Sequence, residues 1–148
     1  MAFRSAPISL RRSVAVYERV PLLIDTDVAI HIRDDHLSAR SFFEANGVPA
    51  LSATSLTELE GGAASDTSQN RLRRPLLDVL LRTVAVLPFT AVEAAAYGRI
   101  VAHLGFNRRL VLDRMIAAQA IVAGLPLVTF NRRDFADIPG LDLRIWSV

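Results

Sequence analysis

Short apolar runs alternate with helical segments along this chain, and that alternation constrains the fold more than any other feature of the sequence. Runs rich in branched apolar residues occupy positions 20–24, 50–53, 84–87 and 125–130, with a shorter alternating run at 141–146. Parallel strands need long crossover connections, which are usually helices. We therefore predict an α/β fold with a mostly parallel sheet of four to five strands, flanked by helices on both sides.

The segments between the runs carry helix signals. Residues 28–46 have helical spacing of apolar residues and end at Gly47, which predicts one or two helices. Thr54 or Ser55 is the expected N-cap of the next helix, which would place Glu58 in its first turn and end before Gly61 and Gly62. Thr90 is the expected cap of a later, alanine-rich helix, and Gly124 the stop of the last long one.

One leucine-rich helical stretch is assigned to the core. Pro75 lies inside it and is expected to kink or restart the helix. The leucines expected to be core residues are Leu72, Leu76, Leu77, Leu80 and Leu81.

Length and composition favour a single globular domain. The chain has 148 residues, 51% of them hydrophobic, which is enough for one substantial core. We expect the domain over residues 20–148, and an N-terminal arm over 1–19 that is either flexible or the product of a start codon placed too far upstream. No apolar run reaches the roughly 20 residues of a membrane span. The absence of cysteine fits a reducing, cytoplasmic setting.

Basic charge is supplied by arginine alone, and the net charge is only +2. GC-rich codon usage explains the lack of lysine better than function does. Clustered guanidinium groups still bind phosphates bidentately and can steer RNA locally. The clusters are Arg71, Arg73 and Arg74; Arg108 and Arg109; and Arg132 and Arg133.

Four acidic residues, here called the acidic quartet, lie where loops leave the predicted strands or where helices begin: Asp25, Glu58, Asp113 and Asp134. Carboxylates that converge repel one another unless they are protonated or share a cation. Ligation by oxygen alone favours a hard ion such as Mg²⁺ or Mn²⁺. Such an ion would support phosphodiester hydrolysis.

Four segments around these residues resemble VapC-type PIN domains: LLIDTDVA at 22–29, TEL at 57–59, DRMIAA at 113–118 and LVTFNRRDF at 127–135. They occur in the order that this family shows, and the resemblance covers roughly residues 20–148. It implies a metal-dependent endoribonuclease that serves as the toxin of a type II (VapBC) toxin-antitoxin pair. The acidic quartet would then surround one or two Mg²⁺ or Mn²⁺ ions.

The resemblance also suggests individual roles. Asp25 and Asp113 would be the main metal ligands, Glu58 a ligand or the base that orients water, and Asp134 a second-site or water-mediated ligand. The secondary positions are expected to brace the carboxylates or to hydrogen-bond the metal shell or substrate: Thr26, Asp27, Thr129 and Asn131. Arg114, Arg132 and Arg133 would hold phosphate or weaken metal binding if turned inward, and would only line the rim if turned outward.

Partners are implied in the same way. A toxin of this family is neutralised by a VapB-type antitoxin and usually forms a homodimer, with RNA as its substrate. The apolar helical segments 28–46 and 68–81 are the expected faces for the antitoxin or the second copy.

Other interpretations remain open from the sequence. Taken singly, each acidic residue could serve only as a helix cap or in a turn. The alternative function is a catalytically silent PIN-like module that binds RNA or protein. DNA is not excluded as a substrate, and the sequence does not specify the RNA target, the cleavage position or the number of metal ions.

Overall fold

A computed structural model describes residues 20–65 and 68–148, so the predicted arm at 1–19 lies outside the described residues. Five short strands form one sheet: β1 (Leu23–Ile24), β2 (Ala50–Ser52), β3 (Ala85–Leu87), β4 (Leu127–Thr129) and β5 (Leu143–Ile145). Their order across the sheet is β3-β2-β1-β4-β5, and every pairing is parallel. The prediction of a mostly parallel sheet with four to five strands is confirmed.

The strand order reverses beside β1. From β1 the chain moves to β2 on one side, whereas from β4 it moves to β5 on the other. β1 and β4 are nevertheless direct neighbours, with Leu23 opposite Leu127 and Ile24 opposite Val128. In open parallel sheets a crevice forms where the connections diverge beyond the carboxyl ends of two such strands. This crevice is the expected place for a ligand.

Seven α-helices in the described residues flank the sheet. They are α1 (Thr26–Asp34), α2 (His36–Asn46), α3 (Ala53–Ala64), α4 (Ser68–Thr83), α5 (Ala91–Leu104), α6 (Val111–Ala123) and α7 (Arg132–Phe135), with a 3-10 turn at Arg108–Leu110. Among the described residues, no helix combines the length and apolar character needed to cross a membrane.

The sheet separates two hydrophobic cores. Ile24, Leu51 and Val128 pack on one face with residues of α1 to α4. Leu23 and Leu127 point to the other face and pack with α5, α6 and α7. Alternation of side chains along each short strand therefore buries both faces, which explains why the strands read as continuous apolar runs.

The helix that follows β2, which is α3, begins earlier than predicted. The N-cap of α3 is Ser52, whose hydroxyl accepts a hydrogen bond from the Ser55 backbone N–H, and not Thr54 or Ser55. The helix also continues through Gly61 and Gly62 to Ala64, because two glycines weaken a helix without breaking its hydrogen bonds. Glu58 consequently lies in the second turn of α3 and not in the first.

The assignment of all five leucines of α4 to the core was partly wrong. Leu77 and Leu80 are buried, but Leu72 is exposed and Leu76 is 40% exposed. The helix is continuous over Ser68–Thr83 with Pro75 inside it, so the predicted restart is absent. Leucines occupy two adjacent faces of this helix. Their spacing alone therefore does not show which of the two faces packs against the sheet.

Candidate functional site

Asp25 directly follows β1 and is held by two hydrogen bonds. As N-cap of α1 it accepts one from the Val28 backbone N–H at 2.9 Å on Oδ1, while Oδ2 accepts one from Thr129 Oγ1 at 2.5 Å. The residue is 4% exposed. Burial raises the pKa of Asp25 to about 6, although the bonds from Thr129 and Val28 act in the opposite direction. Capping and a metal-binding role are therefore compatible, because each carboxylate oxygen accepts one hydrogen bond and keeps a second lone pair.

Glu58 is oriented by the first residue of α1. Thr26 Oγ1 donates to Glu58 Oε1 at 2.8 Å and lies 2.9 Å from Ser55 Oγ. Ser55 is in turn buried against Ser52, the N-cap of α3. The starts of α1 and α3 are thus joined by hydroxyl groups, and this contact brings the exposed Glu58 carboxylate to the crevice side of β1.

Asp134 lies at the far side of the crevice, in the short helix α7 that follows β4. Asn131 Nδ2 donates to its Oδ2 at 2.6 Å, and Arg109 Nη2 lies 3.3 Å from its Oδ1. The Asn131 backbone N–H donates to Thr129 Oγ1 at 3.0 Å. Thr129 therefore contacts both the Asp25 carboxylate and the loop that orients Asp134.

Asp113, in the first turn of α6, is half-buried and has no hydrogen-bond or ion-pair partner among the described residues. Its pKa is raised to about 6, first by burial and then by repulsion from the carboxylates of four other acidic residues. These are Asp134, Asp25, Glu58 and Asp27, in decreasing order of effect. Carboxylates from three other segments are therefore near enough to Asp113 to raise its pKa.

The carboxylates are close enough to repel but are not yet arranged as a closed set of ligands. Within residues 20–65 and 68–148, no three His, Asp or Glu side chains already have positions that would hold a metal ion. Glu58 and Asp134 each point to a hydrogen-bonding neighbour instead. The donor set nevertheless consists of carboxylate oxygens that repel one another, and this is a set that suits a hard divalent cation.

Comparison with known proteins identifies the family of this chain. Residues 22–141 match the PIN domain family. The chain belongs to the PIN-domain family. It is 33% identical over 129 residues to the tRNA(fMet)-specific endonuclease VapC of Shigella flexneri, which covers 84% of this chain and 97% of that protein. The family resemblance drawn from the four sequence segments is confirmed.

Other VapC proteins are similar over comparable lengths. Identity is 31% over 127 residues to ribonuclease VapC1 of Rickettsia felis, covering 82% of this chain and 93% of that protein. Among solved structures, DNA-bound VapBC from Salmonella typhimurium superimposes with a TM-score of 0.72 at 27% identity, covering 86% and 99% of the two chains. The described domain thus corresponds to nearly the whole length of these VapC-type PIN proteins.

The remaining predicted site residues of this PIN domain are placed as follows. Asp27 is exposed, and its charge helps to raise the pKa of Asp25 and that of Asp113. Arg132 and Arg133 are exposed on the rim. Arg114 turns inward but away from the carboxylates: it is buried, and its Nη1 donates to the Gly105 carbonyl at 2.7 Å. It therefore fixes the loop before α6.

Three contacts of this site were not predicted. Ser52 and Ser55 brace the start of α3, and Arg109 reaches Asp134 from a loop 25 residues earlier. A serine directly after a buried strand is a signal that sequence analysis can use for the first two. The Arg109 contact has no local signal, because it depends on how the loop before α6 packs beside α7.

Proposed function

We propose that this VapC-type PIN protein is an endoribonuclease toxin that uses Mg²⁺ or Mn²⁺, and that its acidic quartet is the metal site. RNA is the proposed substrate, and a VapB-type antitoxin the proposed inhibitor. We expect the protein to act in the cytoplasm, where its RNA substrate is found. The similarity to proteins named VapC ribonuclease supports the reaction, and the geometry supports the site.

The observation that carries the metal site is the state of Asp113. Burial and like charge raise its pKa to about 6, and no basic group among the described residues neutralises it. A cation shared with Asp25 would remove this repulsion and stabilise both carboxylates in their charged forms. Carboxylates whose pKa values are raised by burial and by like charge are common at functional sites.

Each residue has a proposed task. Asp25 and Asp113, the two members whose pKa values are raised, would hold the ion. Thr129 fixes Asp25 in one orientation, and Asn131 does the same for Asp134, which would contribute to a second ion or through water. Glu58, exposed and held by Thr26, would orient the attacking water or complete the ligand set. When bound, the ion supplies activation of water and neutralisation of charge on the phosphate.

Substrate binding is proposed to involve the arginine rim. Arg109, Arg132 and Arg133 are exposed around Asp134, so the acidic centre has a basic edge. Phosphates on either side of the cleaved bond would contact this edge, while the metal site contacts the bond itself. A local edge of this kind explains how a chain with a net charge of only +2 can attract RNA.

A protein partner is proposed for the opposite end of the α1 to α4 layer. Leu37, Leu72, Leu76 and Val79 are exposed there, beside a groove of about 280 Å³ between α1, α2 and α4. Neighbouring apolar side chains that are exposed around a groove suit contact with another protein chain. We propose that the antitoxin or a second copy of the chain covers it. Mass measurement of the toxin alone and with antitoxin distinguishes the two: a toxin that remains monomeric at high concentration excludes the homodimer.

The test of the function is RNA cleavage. Wild type and Asp25→Asn are purified without antitoxin and incubated with structured and unstructured RNAs and with DNA, in Mg²⁺, in Mn²⁺ and in EDTA. We expect wild type to cut at least one RNA only when metal is present, and Asp25→Asn to lose nearly all of that activity. The asparagine preserves the size of the side chain and can keep the bond from Val28.

The alternative is a catalytically silent module that binds RNA or protein. It predicts that folded wild type binds RNA without cutting it and that Asp25→Asn binds equally well. Cleavage that persists in EDTA, or in Asp25→Asn, contradicts the proposed site directly.

A further inference from the structure

A small pocket adjoins the acidic quartet. It has a volume of about 260 Å³ and lies between α3, α6 and the segment after β3. We call it the Phe89 pocket, and its lining residues are Ala53, Thr54, Thr57, Glu58, Phe89, Leu112 and Met115. It is separate from the partner groove at α1, α2 and α4, since the two share no lining residue.

The pocket shares one residue with the proposed metal site. Glu58 belongs to both, and Leu112 is the residue before Asp113. A phosphodiester held by the quartet would therefore place the adjoining nucleotide beside the mouth of this pocket. The occupant of the pocket would therefore belong to a nucleotide that is bonded directly to the cleaved phosphate.

The lining suits a flat apolar group. Phe89 and Met115 are half-buried, and Leu112 is 45% exposed. An aromatic ring, a thioether and a leucine side chain present polarizable surface, and Glu58 is the only charged residue in the lining that the described part of the chain forms. Unpaired bases are commonly bound by stacking on aromatic side chains. The volume is slightly below that of pockets for drug-sized ligands, which fits one base.

Thr54 adds an unsatisfied polar group. It lines the pocket and is 6% exposed, and its Oγ1 has no hydrogen-bond partner among the described residues. An unpaired buried hydroxyl is unfavourable. Threonine in a helix adopts two rotamers that exchange the hydroxyl and methyl positions. Rotation would allow Oγ1 to pair with the edge of a ligand in the pocket.

From these observations we propose that the Phe89 pocket binds the unpaired base of an RNA nucleotide directly next to the cleaved phosphate. This inference rests on the proposed ribonuclease function. Because the lining has few polar atoms, the pocket selects chiefly by size, between purine and pyrimidine, and Thr54 adds a smaller preference among bases of one size.

Met115 provides a direct probe. The chain has only two methionines, Met1 and Met115, so labelling at the methyl carbon gives two NMR signals, and Met115→Leu assigns them. The variant Asp25→Asn, which is expected not to cut RNA, is titrated with each of the four nucleoside monophosphates, with ribose phosphate and with a short unpaired RNA. We expect the Met115 signal to shift with the RNA and with at least one nucleotide, through the ring current of the base. Ribose phosphate should leave it unchanged.

Two results overturn the proposal. One is a Met115 signal that responds to neither the nucleotides nor the RNA, or that responds equally to ribose phosphate. The other is a shift that depends on protein concentration without ligand, because it would assign the pocket to a contact between copies of the chain. Neither result depends on cleavage, so failure of this inference is distinguishable from failure of the proposed function.

Substitutions test the same point in the active protein. Phe89→Leu keeps an apolar side chain but removes the ring, and we expect KM for RNA to rise about tenfold with kcat nearly unchanged. Phe106→Leu is the matched control, because Phe106 is 71% exposed and lies outside the pocket. Its kinetics should equal those of wild type.

Substrates that lack one base complete the test. Removal of the base beside the cleaved phosphate should raise KM for wild type but not for Phe89→Leu, because the stacking partner is already lost. Equal effects of base removal on wild type and Phe89→Leu would contradict stacking on Phe89. Thr54→Val should alter the ratio of KM values among bases of the same size while the protein stays at least as stable, since valine removes the unpaired hydroxyl.

Discussion

Thr129 Oγ1 donates a hydrogen bond to Asp25 Oδ2 at 2.5 Å across a separation of 104 residues. The bond spans β1 and β4, the neighbouring strands at which the sheet reverses its order. The same hydroxyl oxygen accepts the Asn131 backbone N–H, and Asn131 holds Asp134. One threonine thus links two carboxylates that approach the crevice from opposite sides.

Thr129→Val tests this link, because valine has the same shape without the hydroxyl. Asp25 Oδ2 and the Asn131 N–H would lose their partner in a buried setting, so we expect the free energy of unfolding to fall by about 2 kcal/mol. The Thr129 bond also lowers the pKa of Asp25, so its loss should raise that pKa further and weaken metal binding at neutral pH. Urea unfolding and metal titration measure the two effects. Thr129→Ser, which keeps the hydroxyl, should show neither.

Asp25→Asn should change how stability depends on pH. The pKa of Asp25 is about 6 in the fold, against 3.8 for an unperturbed group, so the folded chain binds more protons than the unfolded chain between these values. Wild-type stability in EDTA should therefore fall as pH rises through this window. Above about pH 7 the variant should be more stable than wild type by up to about 3 kcal/mol.

Urea unfolding in EDTA at about pH 5 and about pH 8 measures this difference. The variant and wild type should be closer in stability at the lower pH, where wild-type Asp25 is largely protonated. A variant that is less stable than wild type at the higher pH would show that the Asp25 charge is already compensated in the metal-free fold.

Arg109→Gln should strengthen metal binding. Its guanidinium lies 3.3 Å from Asp134 Oδ1 and is 69% exposed, so it competes weakly with a cation for this carboxylate. An exposed pair of this kind contributes at most about 1 kcal/mol, which corresponds to a gain in metal affinity of up to about fivefold. Arg108→Gln is the matched control on the same 3-10 turn. Weaker metal binding by Arg109→Gln would indicate that the arginine positions Asp134 rather than competing for it.

Leu77→Ala and Leu76→Ala test the orientation of α4. Leu77 is 0% exposed and belongs to the core that contains Ile24, whereas Leu76 is 40% exposed beside the partner groove. We expect Leu77→Ala to cost about 2–5 kcal/mol of stability and Leu76→Ala less than about 1 kcal/mol. Thermal unfolding of the isolated protein measures both. Equal losses would show that the helix presents a different face to the sheet.

Strand ends and helix caps were predictable from the sequence where neighbouring residues determine them. Asp25 follows a run of branched apolar residues, which is the pattern of a strand buried on both faces. The sequence alone therefore placed Asp25 at the end of a strand. Thr90 was predicted as an N-cap for a similar reason, and the structure shows a full capping box with Glu93. Strand ends and caps depend on a few neighbouring residues.

Features that depend on long-range packing were not predictable. Thr54 and Ser55 are as suitable for capping as Ser52, and only the end of β2 selects Ser52. The inward turn of Arg114 requires the Gly105 carbonyl to lie beside α6, and the Arg109 contact requires α7 to lie beside the loop before α6. Spacing within one helix contains no information about such neighbours.

Binding of Mn²⁺ tests most directly whether the acidic quartet is a metal site. Electron paramagnetic resonance reports free Mn²⁺, so titration into metal-free wild type, Asp25→Asn and Asp113→Asn yields the affinity of each. Saturable loss of the free-ion signal with wild type, strongly weakened in both variants, is the predicted result. Wild type that leaves the signal unchanged, or variants that bind as tightly as wild type, would contradict the assignment of the quartet as the metal site.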